Sequence, residues 1–156
     1  MQQSRSEEIA DAVLVASRAL VAVAARSLAS VDEELTLPQY RVLAVLSTRG
    51  PCGMGALAEE LGCSASTATR LCDRLVAREL VDRQHPEDNR RVVEVQATPQ
   101  GERLVQRVTQ RRRAEIDAIV AAIEPRQHAA LVEAFGAFAD AAGEAPAPPW
   151  STGWEL

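Results

Sequence analysis

Between Ser64 and Thr98 the hydrophobic pattern switches from a helical period to a strand period, and this switch constrains the fold more than any other feature of the chain. In S-A-S-T-A-T-R-L-C-D-R-L-V-A-R-E-L, the residues Ala68, Leu71, Cys72 and Leu75 fall at i, i+3, i+4 and i+7 and form one apolar stripe of a helix over about 64–78. Ser66, Arg70, Asp73 and Ala77 lie on the opposite face, with Thr67 and Arg74 beside them. Ser64 is placed to cap the helix, because its hydroxyl can accept from an N–H of the first turn. Val81 and Arg83, then Val93, Val95 and Ala97, mark two short strands joined by the turn-rich H-P-E-D-N. A polar-faced helix followed by an arginine-tipped hairpin is the layout of a winged helix-turn-helix, in which one element lies in a DNA groove and the hairpin flanks it.

The remaining pattern is helical. Ser4 and Glu7 fit a capping box opening a first helix. Ile9, Val13, Ala16, Leu20 and Val23 then repeat at 4, 3, 4, 3, a narrow seam that requires a partner in the same domain or in a second subunit. Thr36 reads as the cap of the next helix, with Pro38 in its first turn and Tyr40, Leu43 and Leu46 or Ser47 as its buried stripe. R-G-P-C-G reads as a turn, and M-G-A-L-A-E-E-L as a short helix stopped by a left-handed Gly62. Thr98 and Pro99 open a long helix to about Glu124, and Pro125 starts a last helix with His128, Leu131, Val132, Phe135, Phe138 and Ala139 on one stripe. His128 reads as a packed interface residue. The expected fold is therefore mainly α with a small β-hairpin wing, in one domain of 1–156. Residues 36–98 form the winged helix-turn-helix, 4–35 and 99–142 supply dimerisation helices, and 143–156 is an extended Pro-rich tail.

Charge is unevenly distributed along the chain. The net charge is −5, but residues 64–113 carry eleven Arg against seven acids, and the rest six Arg against fifteen. A basic segment on an acidic body fits a protein with one face turned to phosphates, with ordinary surface charge as the other reading. The R-R-R run at 111–113 has two readings, anion contact or ion pairs on a solvated face. Both tryptophans, Trp150 and Trp154, lie in the tail, as docking anchors or simply exposed. The N-terminus lacks a signal-peptide core, and no apolar run approaches the roughly 20 residues of a membrane span, so a cytoplasmic protein without a membrane partner is expected. Cys52, Cys63 and Cys72 form no C-x-x-C pair and no metal-ligand spacing, so neither a disulfide framework nor a metal or cofactor is expected. Phosphate-loop, nucleophile-elbow and zinc-protease motifs are missing, which argues against an enzyme.

In their order, T-L-P-Q-Y-R-V-L, A-L-A-E-E-L-G, S-T-A-T-R-L-C-D-R-L and D-N-R-R-V-V-E-V-Q-A-T-P-Q-G resemble the MarR family of bacterial winged helix-turn-helix transcription regulators, over about residues 6–142. The resemblance implies a homodimer held by the first and the last two helices, binding double-stranded DNA through a recognition helix in the major groove and a wing in the minor groove. The expected regulator is a repressor of pseudo-palindromic operators, released by a small phenolic or anionic ligand. Carried over by position, Ser64, Ser66, Thr67, Thr69, Arg70 and Arg74 face DNA. The family's wing aspartate and arginine match Asp88 and Arg90 in one register, or Asn89 and Arg91 in another. Tyr40 matches a position near the ligand pocket, where a purely structural tyrosine is the other reading.

Two departures from the family pattern stand out. Glu79 occupies the place of the usual glycine after the recognition helix, and a left-handed Glu there would cost about 1 kcal/mol. The cysteine that the family's oxidation sensors carry in the first helix is missing. Two other functions are open: a winged helix that binds protein instead of DNA, and a redox-responsive regulator using Cys63 or Cys72. Cys72, on the apolar stripe, should be inert when buried.

Overall fold

The computed structural model of the chain describes residues 2–85 and 93–144. Six helices and a small sheet follow one another as α1 (Gln2–Ala29), α2 (Leu37–Arg49), β1 (Cys52–Gly53), α3 (Met54–Leu61), α4 (Ala65–Ala77), β2 (Val81–Gln84), β3 (Glu94–Ala97), α5 (Pro99–Val120) and α6 (His128–Ala141). The mainly helical architecture with a β wing is as expected.

Helix boundaries follow from capping chemistry. The Thr36 hydroxyl accepts from the Gln39 amide at 3.4 Å while the Gln39 side chain accepts from the Thr36 amide at 2.9 Å, a reciprocal box with Pro38 in the first turn. Ser64 caps α4 by accepting from the Thr67 amide at 3.2 Å, and Gly62 ends α3 in the left-handed region at φ 63. Thr98 caps α5, accepting from the Gly101 amide at 3.1 Å.

One core holds the winged helix together. Leu43 of α2, Leu57 of α3, Cys72 and Leu75 of α4, Val95 of β3 and Val108 of α5 are all within 1% of full burial. The C-terminal half of α1 joins through Val23, Ser27 and Leu28, and Arg26 and Ser27 both reach Glu115 of α5, the arginine at 2.9 Å.

Several expectations need correction. R-G-P-C-G is not only a turn: Cys52 and Gly53 pair antiparallel with Val95 and Glu94, making a three-stranded sheet in the order β1-β3-β2. Two residues carry no periodic signal, and their partner lies some forty residues away. Ser4 sits inside α1, so the S-x-x-E box does not open that helix. The long helix stops at Val120, and a 3-10 turn at Pro125–Gln127 precedes α6. His128 braces this turn, its Nε2 lying 3.1 Å from the Ile123 carbonyl oxygen. Leu46, not Ser47, completes the buried stripe of α2. Finally, Ser4–Ala29 contains an 18-residue stretch of mean hydropathy 1.7, which meets the length and composition of a membrane span. Its valines and leucines, with the alanines between them, supply that hydropathy, and Arg18 and Arg26 interrupt the apolar run.

Glu79 takes the strained conformation. Its φ of 57 is the only positive value among described non-glycine residues. The amide of Leu80 donates back to the Leu75 carbonyl at 2.9 Å and that of Glu79 to Val76 at 2.9 Å, so the end of α4 is closed by a left-handed cap despite the side chain.

Candidate nucleic-acid interface

Helix α4 has two unlike faces. Ala68, Cys72 and Leu75 are fully buried against the core. Ser64, Ser66, Arg70 and Arg74 are exposed, and Thr67 and Thr69 half-buried. Thirteen residues make a rod of about 20 Å, and a rod of helical width enters the major groove of B-DNA, about 12 Å across.

Local hydrogen bonds organise the first turn. The Ser64 hydroxyl donates to Thr67 Oγ1 at 3.0 Å and lies 3.1 Å from that of Ser66. Arg70 Nη2 reaches Thr67 Oγ1 at 3.4 Å, which holds the guanidinium along the helix surface. Thr69 differs from its neighbours: its hydroxyl donates to the Ala65 carbonyl at 2.8 Å, leaving mainly its methyl to meet a ligand. Arg70 and Arg74 stand one helical turn apart, so their guanidinium groups form a short basic row. Asp88, Asn89, Arg90 and Arg91, assigned to the wing by the sequence, lie outside the described residues, as does the tail beyond Glu144.

Two basic contacts escaped the sequence reading. Arg83 on β2 donates through Nη2 to Asp73 Oδ1, tying the wing to α4. Arg78 at the end of α4 bonds Asp32 at 2.5 Å and fixes the helix to the α1–α2 loop. Both pairs join residues too far apart in sequence for any periodic signal to reveal them.

A second constellation lies where α2 meets α5. Tyr40, only 6% exposed, places its hydroxyl 3.4 Å from Thr109 Oγ1. The Arg112 guanidinium lies 5.2 Å from the centre of the Tyr40 ring, within cation–π range. Arg112 Nε is buried and has no hydrogen-bond partner among the described residues. The R-R-R run therefore splits: Arg111 is exposed, Arg112 covers Tyr40, and Arg113 pairs with Asp117 one turn on at 3.9 Å. Neither sequence reading of the run foresaw the Tyr40 contact, because 72 residues separate the partners.

Burial pushes the Cys72 thiol up to about 11, with Arg83 pulling it down less strongly than burial raises it. The Cys52 thiol is also raised, first by burial and then by the Glu94 and Glu60 carboxylates. Neither environment favours a thiolate.

Residues 35–93 match the model of the family described as "MarR family". An uncharacterised HTH-type transcriptional regulator of Bacillus subtilis, YfiV, is 29% identical over 100 residues, which cover 64% of this chain and 62% of YfiV. The chain thus spans less than two thirds of that relative's length. Among solved structures, RV1404 from Mycobacterium tuberculosis is 44% identical, with a TM-score of 0.85 over 91% of this chain and 97% of that one. A MarR family protein from Bacillus stearothermophilus shares the fold at 20% identity and a TM-score of 0.81, over 92% and 99% of the two chains. Two structures at 23% identity also share the fold: NadR in complex with 4-hydroxyphenylacetate, and BpsR of Bordetella bronchiseptica, whose DNA binding is regulated by 6-hydroxynicotinic acid.

Proposed function

Because this chain belongs to the MarR family of transcriptional regulators, we propose that it is a homodimeric cytoplasmic repressor that binds pseudo-palindromic double-stranded DNA and is released by a small phenolic or anionic effector. The observation that carries the reading is the two-faced α4, buried through Ala68, Cys72 and Leu75 while Ser66, Arg70 and Arg74 face outward. Guanidinium groups suit the O6 and N7 of guanine, or a phosphate, and the small hydroxyls allow close approach. The wing arginines Arg90 and Arg91 then serve the adjacent minor groove.

Dimerisation is supported by apolar surface left uncovered. Helix α6 has no buried residue, and Val132, Phe135 and Phe138 are all more than half exposed, as are Leu14 and Val21 of α1. A fourteen-residue helix is marginal by itself in water, so a covering partner is required. A bilayer is a poor partner for α1, because its C-terminal half is packed on α5 with the Arg26–Glu115 ion pair. Two-fold symmetry places half-sites about 10 base pairs apart.

The Tyr40–Arg112 constellation is the proposed effector site. A carboxylate or phenolate there would meet a guanidinium whose Nε lacks a partner among the described residues, next to an aromatic ring. The aromatic acids bound by NadR and acting on BpsR fit that chemistry. Mobility shift on genomic duplex fragments over a salt series tests the reading. Retardation that weakens steeply with salt is expected. No retardation by a folded dimer at any salt would overturn it and favour a protein-binding winged helix.

A further inference from the structure

A groove opens between α2 and the N-terminal end of α4, and neither Tyr40 nor Arg112 lines it. Leu37, Pro38 and Arg41 of α2 line it together with Leu61, Cys63 and, from α4, Thr67 and Leu71, around a volume of about 360 Å³. That is the lower end of the range for ligand pockets, about 300–1,000 Å³, and gives room for one large ring. The lining is mostly apolar, with one cation and two small polar groups.

The position of Glu144 identifies an occupant. Its Oε1 lies 3.8 Å from Arg41 Nη2, so the chain leaves α6 beside the groove. The next residues are A-P-A-P-P-W, which bring Trp150 six positions on. A Pro-rich segment advances about 3.1 Å per residue, so Trp150 has a reach of about 19 Å from Glu144. Packed helix axes such as those of α2 and α4 are about 8–10 Å apart, so this reach crosses the groove. The chemistry also matches. An indole gains from burial against leucine and proline, and its face attracts a guanidinium. Arg41 is available for that contact: its ion pair with Glu144 is long, and both side chains are more than half exposed.

We propose that the groove between α2 and α4 is the docking site of this chain's own segment 145–156, with Trp150 seated between Leu37 and Leu71, its ring against Arg41 and covering Cys63. Thr67 belongs both to the groove and to the first turn of α4, so a seated tail alters the surroundings of that turn.

Both tryptophans of the chain lie in this segment, so tryptophan emission, excited beyond the tyrosine band, reports on it alone. The full-length chain with Trp154→Phe isolates Trp150, and Cys52→Ser leaves Cys63 as the accessible thiol, since Cys72 is buried. Docking is expected to give blue-shifted emission and slow labelling of Cys63 by a maleimide. Leu37→Glu, a change at an exposed helix start, is expected to red-shift the emission towards that of free tryptophan. Trp150→Ala is expected to speed Cys63 labelling several-fold with helical content unchanged. Emission already that of free tryptophan, or equal labelling rates with and without Trp150, would overturn the proposal. Slow labelling that persists in Trp150→Ala would assign the groove to a second copy or another occupant, and would overturn it equally.

Discussion

The hydroxyl of Thr98 donates to the carbonyl of Glu79 at 2.7 Å while accepting from the amide of Gly101 at 3.1 Å, so one side chain joins the end of α4 to the start of α5. The Leu80 carbonyl receives the Thr98 amide at 3.1 Å in the same junction. A Cβ on Gly101 would meet that Leu80 oxygen at 2.2 Å, which explains why glycine stands third after the cap in T-P-Q-G. The junction fixes the angle between α4 and the long helix that carries Arg112.

Thr98→Val keeps the shape and removes both hydrogen bonds. It is expected to cost about 1–2 kcal/mol by urea unfolding, with Thr98→Ser nearly neutral. Gly101→Ala is expected to cost more, about 1–3 kcal/mol or above, because backbone rather than a flexible side chain must move. A neutral Gly101→Ala would show that the two helices are less closely joined than this geometry requires.

Glu79 tests the same junction from the strained side. At φ 57 its Cβ crowds the backbone, and glycine relieves that crowding. Glu79→Gly is therefore expected to raise stability by about 0.5–1 kcal/mol, the left-handed relief being partly offset by chain entropy. A drop in stability would mean that the Glu side chain contributes something that its place at the helix end does not suggest.

Much of this architecture is legible in the sequence because it rests on local chemistry. Thr36, Ser64 and Thr98 announce helix starts by residue type and spacing, and the stripe Ala68–Cys72–Leu75 gives the buried face of α4 directly. What stays hidden depends on residues distant in sequence. Arg112 meets Tyr40, Arg83 meets Asp73, and Cys52–Gly53 joins β3, and none of these pairs leaves a periodic trace. The spacing of Ile9 and Leu20 marks an apolar seam, yet both residues are exposed in the single chain. Pattern tells which face is apolar and not what covers it.

Cys72 predicts a pH dependence. Its folded thiol is raised to about 11 from an ordinary 9.0, so the folded state holds the proton more tightly than the unfolded chain. The stabilisation is complete below pH 9 and is lost as pH rises through about 11, to the extent of about 2–3 kcal/mol. Unfolding measured between pH 8 and 11 should show a decline that Cys72→Ala flattens. With Cys72 buried and protonated and no cysteine in α1, DNA binding is expected to be indifferent to mild peroxide. Reversible loss in peroxide that disappears in a Cys63 variant would overturn that indifference.

Phe135 and Phe138 face solvent on one side of α6. Light scattering is expected to give a dimer, and Phe135→Glu to shift it towards monomer at micromolar concentration while the winged helix stays folded. A wild-type monomer at that concentration would remove the two-fold symmetry on which the operator geometry depends.

Helix and wing should read DNA in different ways. Arg70 and Arg74 project from the exposed face of α4, so at least one of them is expected to read a base edge. Arg70→Ala should cost about 1–3 kcal/mol on the operator and much less on random duplex. Arg90 and Arg91 follow the turn-rich H-P-E-D-N, and they are expected to meet phosphates and the negative potential of the minor groove. Such interactions depend on charge and groove width more than on base identity. Replacing both by Ala should weaken operator and random duplex by similar factors. It should also reduce the slope of log affinity against log salt by about one for each phosphate that an arginine no longer neutralises. Both variants measured on both duplexes across a salt series decide the matter. A wing pair that alters sequence preference, beside an Arg70→Ala that weakens every duplex equally, would reverse the two roles.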